Sequence, residues 1–323
     1  MPEEQTMTSI KKILVDLDPN NEEQPALMRA IYLAKQYGAT LTLFLVAYNR
    51  GLVSNLFFDT AQLDAAKQGY INSKKRWVET YLKSATDADV QADYDIVWAK
   101  PIYEAINKKA EEGGYDLVIK STHHHLKINK IFFTPNDWQL LKTCPKPIIL
   151  AKTIGVDDSE QAKPYVNVMA AIDPSNRHNH SKELDPKILH TAREIASSTN
   201  AKIHAIHCYD PVAYQLWADI GIGMGAGMGP ADFTMGQDNY DQYIEQLKQD
   251  NEKQFGEALD QVNFPKENLH LEEGYPEQVL PEVVKEQNID LLVMGTSYHS
   301  GLIGSTIEKI LDDVDCDVMA VRV

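Results

Sequence analysis

Two short apolar runs, IKKILVDLDPN (residues 10–20) and VNVMAAIDPS (166–175), both end in Asp-Pro. Each is followed by a segment whose apolar residues recur at helical spacing: Ala26, Leu27, Ala30, Ile31 and Ala34 in one, Ile188, Leu189, Ala192, Ile195 and Ala196 in the other. The two segments stop at Gly38 and Asn200, residues that tolerate a left-handed backbone, and both lead into a second apolar run. After a variable stretch the parallel resumes with VWAKPIYEAINKKAEEGGYDLVIKST against LEEGYPEQVLPEVVKEQNIDLLVMGT. It closes with WQLLKTCPKPIILAK against IEKILDDVDCDVMAVRV. The chain is one unit written twice.

Each copy predicts strand, helix, strand, a long helical excursion, strand, helix, strand, helix, strand. Nearly all-apolar strands alternating with helices predict a parallel sheet covered on both faces, hence an α/β fold of two tandem, open, five-stranded Rossmann-like domains. We place the first over residues 1–156 and the second over 157–323. The polar, proline-containing TIGVDDSEQAKPY (153–165) forms the join. The apolar final strands, PIILAK and DVMAVRV, lie at domain ends, where an open edge invites pairing.

Charge separates the copies. Residues 1–156 carry 19 Lys and Arg against 18 Asp and Glu, whereas residues 157–323 carry 12 against 29. So acidic a second half repels phosphates at long range, which argues against nucleic acid or an anionic membrane surface as partner. No apolar run reaches the roughly 18 residues of a membrane helix, and MPEEQTMTSIKK lacks the apolar centre of a signal peptide, so a cytoplasmic location is expected with no membrane insertion. The three cysteines, Cys144, Cys208 and Cys316, are widely separated and read as small buried hydrophobes.

With DPNNEEQPAL in the opening, FFTPNDWQLLKTCPKPI in the first half, and GYPEQVLPEVV and GSTIEKILDDVDCDV in the second, the chain resembles the universal stress protein family in its tandem form over about Ile10 to Val323. The resemblance implies a stress-response protein with little or no enzymatic turnover. It implies an adenine nucleotide alpha hydrolase-like fold packed as an intramolecular pseudo-dimer joined by the last strands. Some members of the family bind ATP through an Asp after the first strand and a glycine loop after the fourth, while others have lost the site.

Asp18 and Asp173 match that Asp in the two halves. In the first half Ser121, His124, Thr134 and Pro135 stand at the three glycine positions and the hydroxyl position; proline removes a donor there, which leaves this nucleotide site degenerate. Lys120 remains able to attract an anion by charge. In the second half Gly295, Gly304 and Ser305 match, with Thr296 and Thr306 beside them, but Tyr298 replaces the middle glycine and the arc is four residues shorter than the family pattern. That removes up to about 13 Å of extended chain. A smaller anion, or none, fits the shortened arc better than ATP. Gly295 and Gly304 can equally serve only to end a strand and begin a helix.

The glycine–methionine stretch at 217–236 reads as a mobile loop or as a lid, its 221–236 portion able to enclose an acyl chain or another lipid-like molecule. His123, His124 and His125 read as a solvated loop, since adjacent histidines do not converge on one metal ion. Nucleophile elbow, Walker A, zincin and C-x-x-C motifs are absent from the sequence. The expectation is therefore a protein that binds a small ligand or another protein without turnover. Asp173, Gly295, Thr296, Gly304, Ser305 and Thr306 are its candidate site, and a homodimer is a further possible association. The rivals are a weak ATPase and a scaffold without a small ligand.

Overall fold

The computed structural model describes residues 10–53, 60–125, 130–132, 134–152, 162–174, 181–209, 237–260, 262, 264–296 and 305–322. The first half runs β1 (Lys12–Asp16), α1 (Pro25–Tyr37), β2 (Thr40–Ala47), α2 (Thr60–Asp87), β3 (Ala92–Trp98), α3 (Ile102–Glu112), β4 (Leu117–Ser121), β5 (His123–His125), β6 (Lys130–Phe132), α4 (Pro135–Thr143) and β7 (Ile148–Ala151). In the second half follow β8 (Asn167–Ala171), α5 (Ser181–Thr199), β9 (Lys202–Tyr209), α6 (Gln237–Leu259), β10 (Leu269–Glu273), α7 (Pro276–Glu286), β11 (Leu291–Gly295), α8 (Ser305–Ile310) and β12 (Asp317–Val321).

The helix stops fall where the sequence places them. Gly38 ends α1 at φ 65°, and Asn200 follows α5 at φ 56°. The triple histidine departs from the loop expectation: it is strand β5, paired antiparallel with β6 in a small hairpin. No helix among the described residues is long and apolar enough to cross a membrane.

Ten strands form one sheet in the order β10-β9-β8-β11-β12-β7-β4-β1-β2-β3. Within each half of this ten-stranded sheet every pairing is parallel. Strand residues alternate between two buried faces. Ile13, Val15, Leu117 and Ile119 pack with α1, α2, α5 and α6; Leu14, Val118, Leu292 and Val318 pack with α3, α4, α7 and α8. Burial on both faces explains why these strands read as continuous apolar runs. Cys144 and Cys316 lie in the second of these layers, and burial pushes their thiols up to about 11 and about 12, as expected of inert core residues.

The halves meet through β7 and β12, antiparallel, with Ile148 opposite Ala320 and Leu150 opposite Val318. The join has an approximate twofold character. Lys152, just past β7, donates its ammonium to the carbonyls of Leu311 (2.8 Å) and Val314 in the turn that follows α8. Arg322, just past β12, donates Nη1 to the Lys142 carbonyl of α4 at 2.7 Å. Each half thus satisfies carbonyls of the other, in the last turn of α4 on one side and in the turn after α8 on the other. At the centre Asp317 is 5% exposed. It receives Arg29 Nε at 2.7 Å, the Tyr165 hydroxyl at 2.8 Å and the Lys152 amide at 2.8 Å.

Candidate functional site

In each half the chain reverses direction across the sheet at one point, between β1 and β4 and between β8 and β11. The crevice beyond the strand ends at such a point is where doubly wound sheets hold ligands. The strand registers make the two crevices comparable residue by residue. Asp16 lies opposite Lys120 and Ala171 opposite Met294, and the paired helices α4 and α8 place Asp137 where the other half has Ile307.

The first crevice is filled by its own side chains. Lys120 Nζ lies 2.7 Å from Asp16 Oδ2 and 3.6 Å from Asp137 Oδ1, and all three residues are buried. Burial alone would lower the ammonium's pKa, but the carboxylates of Asp16 and Asp137 outweigh it and hold the group well above its ordinary value. Lys120 is therefore not available to attract an anion from solution, as its sequence position suggested. It neutralises one charge in a cluster that keeps a negative excess. Thr134 and Pro135, the residues that displaced the glycine-loop chemistry, open α4. The Thr134 side chain accepts from the Asp137 amide at 3.3 Å and Asp137 bonds back to the Thr134 amide at 2.7 Å, a capping box that also fixes Asp137 against Lys120.

The remaining polar groups of this crevice are internal as well. Asp18 accepts from the Asn20 amide at 3.0 Å and from the side chain of Asn21. Gln24, 2% exposed, accepts the Asp18 amide at 3.0 Å and donates to the carbonyls of Asp18 (2.8 Å) and Asn21 (2.7 Å). Ser121 Oγ accepts the amide of Ala26 in the first turn of α1 at 3.0 Å.

The second crevice is open. Where the first half has Asp16, Lys120 and Asp137, it has Ala171, Met294 and Ile307, and these three line a cavity of about 230 Å³. Ile172, Ile206, Cys208, Leu184, Ile188 and Leu280 extend the apolar wall; Asp173, Asp185, Pro276 and Gly295 complete it. Asp185 is 6% exposed, and its Oδ1 accepts the Asp173 amide at 3.3 Å, the same bond that Gln24 accepts from Asp18. Burial pushes the Asp185 carboxyl up to about 7, with the nearby Asp173 charge adding to the shift against its amide's hydrogen bond. Burial likewise pushes the Cys208 thiol up to about 12.

Of the residues singled out in the sequence, Asp173 and Gly295 come together on this cavity. A Cβ on Gly295 would sit 2.6 Å from Leu184 Cδ2 and 3.1 Å from Ile188 Cδ1, so close packing of α5 on β11 is enough to require glycine here. Thr296 is turned to the sheet, its amide donating to the Val321 carbonyl at 2.8 Å and its hydroxyl at 3.4 Å. Ser305 and Thr306 open α8, a helix of six residues. Gly304 and the 221–236 stretch lie outside the described residues. Sequence reading missed Asp185 and the apolar wall. The signal for Asp185 was its alignment with Gln24, one residue before the prolines Pro186 and Pro25 of the paired helices.

Two doubly wound domains fused through their last strands, one crevice filled and one open, define a tandem Rossmann-like protein. The chain belongs to the universal stress protein family, whose pattern it matches over residues 9–152 and again over 164–322. It is similar over its whole length to the universal stress protein E of Escherichia coli K12, 28% identical across 98% of this chain and 95% of that one. The universal stress protein E of Photorhabdus laumondii is 27% identical over 98% and 96% of the two chains. Among solved structures, a universal stress protein from Archaeoglobus fulgidus superposes with a TM-score of 0.63 over 96% of this chain and 98% of its own, at 15% identity. A protein of unknown function from Pseudomonas aeruginosa PAO1 gives 0.62 over 98% and 94%, at 22% identity.

Proposed function

We propose that this family member acts by binding, without turnover: the second half holds a ligand with an apolar body at its switch-point cavity, and the first half serves structure. The observation that supports this reading is the exchange at equivalent positions of a buried ion cluster, Asp16–Lys120–Asp137, for the apolar set Ala171, Met294 and Ile307 around an open volume. The first crevice holds a buried cluster of one ammonium and two carboxyl groups, a charge arrangement that opposes a phosphate. The second presents apolar walls beside two carboxyl groups, an environment that favours transfer of an apolar group from water and opposes a triphosphate. The cavity is somewhat larger than the roughly 150 Å³ that suffices for benzene, which suits a compact hydrophobic group.

Native mass spectrometry of the purified chain, followed by calorimetric titration with ATP and Mg²⁺ and with small apolar probes, tests the reading. Apolar probes bind with a stoichiometry of one, and Ala171→Leu, which fills the cavity, abolishes that binding while ATP gives no heat with either protein. Copurified nucleotide, or ATP binding that Ala171→Leu leaves intact, overturns it.

A further inference from the structure

The two crevices differ in one more respect, which bears on the head group of the ligand and rests on the cavity reading above. At the mouth of the first crevice Gln24 performs two tasks: its carbonyl oxygen accepts the Asp18 amide, and its Nε2 supplies two donors to the carbonyls of Asp18 and Asn21. Asp185, its counterpart, keeps the accepting task toward the Asp173 amide. As a carboxylate it supplies no donor at all. Donors present in one copy are thus replaced in the other by a buried acid that faces a cavity.

Charge points the same way. No Lys or Arg is among the described residues lining this cavity, whereas two carboxyl groups are. Among the described residues lining the cavity, the titratable groups besides Asp185 are Asp173, just after β8, and the Cys208 thiol of β9; β11, α7 and α8 contribute Met294, Gly295, Pro276, Leu280 and Ile307, none of which titrates. On its own helix Lys187 turns away to donate to the Arg322 carbonyl at 2.5 Å. A buried carboxylate with no Lys or Arg beside it among the described residues of the cavity is costly, and it is relieved by a positively charged hydrogen-bond donor brought in with the ligand.

We propose that the second-half cavity recognises a compact apolar amine, its hydrocarbon or aromatic body against Met294, Ile206 and Ile307 and its ammonium on the carboxylate of Asp185, in the place that the Gln24 amide takes in the first half. The size of the cavity suits an aromatic ring with a two-carbon amine arm. The ligand class is therefore opposite in charge to a nucleotide or fatty acid. The carboxyl near neutrality in the free protein also makes the affinity depend on pH.

The test uses the full chain and three probes of like shape: 2-phenylethylamine, 2-phenylethanol and 3-phenylpropionate, titrated by calorimetry with ligand-observed NMR as a second readout. The amine binds at least about tenfold more tightly than the alcohol, the difference of one charge-assisted hydrogen bond, and the carboxylate more weakly than either. Asp185→Asn, which keeps size and the Asp173 bond, removes the amine's advantage and leaves the alcohol unchanged. In the unmodified protein, affinity for the amine rises about tenfold or more between pH 5.5 and pH 8 as Asp185 ionises, a measurement that needs no variant. Equal binding of amine and alcohol, in the parent and in Asp185→Asn, overturns the head-group inference and leaves the cavity reading standing. Preference for the carboxylate, or a flat pH profile, overturns it too. Absence of binding by any of the three overturns both.

Discussion

Asp317 offers the sharpest test of how the two halves are held together. Its carboxylate is nearly sealed from water and receives three donors from three segments: Arg29 of α1, the Tyr165 hydroxyl in the connection, and the Lys152 amide after β7. Arg29 is also 89% removed from solvent, its guanidinium 4.0 Å from the Tyr165 ring centroid and its Nη1 on the Lys163 carbonyl at 2.6 Å. Asp317→Ala leaves that guanidinium buried with no counter-charge, and breaking a buried pair from one side costs about 3–5 kcal/mol. The orphaned hydroxyl and amide add about 1–3 kcal/mol before relaxation, and because the groups form one network the contributions overlap. We expect a loss of about 4 kcal/mol, a large share of the 5–15 kcal/mol typical of a domain.

Urea denaturation followed by circular dichroism measures that loss. It also shows whether the transition splits in two as the halves uncouple. The companion variant Arg29→Met/Asp317→Leu removes both charges and fills their volume, so it falls well short of the sum of the single losses. A cost for Asp317→Ala below about 1 kcal/mol, or a double variant as damaged as the sum of the single ones, would refute the view that this buried network fastens the join.

Three further outcomes follow from the crevices and the sheet edge. Lys120→Met leaves Asp16 and Asp137 facing each other without a cation and costs about 3–5 kcal/mol in thermal or urea unfolding, while ligand binding in the second half is unchanged. Gly295→Ala drives a methyl into Leu184 and costs about 1–3 kcal/mol in stability even with no ligand present; an effect on ligand affinity alone would show that the glycine serves a bound group instead. His204, 5% exposed, stacks on His270 with its Nδ1 3.2 Å from the partner's Nε2, and burial followed by the His270 neighbour pushes its pKa down to about 4. The native ring is neutral, so its stability contribution is present above pH 6.5 and is lost as pH falls toward 4. His204→Leu should therefore gain about 2 kcal/mol relative to the parent between pH 7 and pH 5, read from paired urea titrations.

Part of the site was visible in the linear chain and part was not. Asp173 and Gly295 stand out because each ends a strand at a repeated position, and they meet on the cavity for that reason. Lys120 misleads when read alone. Beside Ser121 it suggests a residual anion site, yet its partners Asp16 and Asp137 lie 104 residues before it and 17 after it, and only the register of β1 on β4 and the capping box of α4 bring them within ion-pair distance. Asp185 misleads in the opposite direction, since an acidic residue in a charged stretch ahead of a helix looks solvated. Its burial follows from the packing of α5 across the ends of β8 and β11.

Local chemistry written in the order of residues determined the duplicated architecture: apolar runs of strand length, helical periodicity between them, and left-handed stops at Gly38 and Asn200. It also determined the join, because a strongly apolar last strand in each copy needs a partner and β12 and β7 provide one for each other. The sequence already pointed to the second copy as the binding unit; the tertiary structure alone decided what lines each crevice. Whether three side chains from β1, β4 and α4 neutralise one another, or their counterparts from β8, β11 and α8 leave a space, depends on distances across the sheet. Sequence separation carries no information about those distances until the register is set.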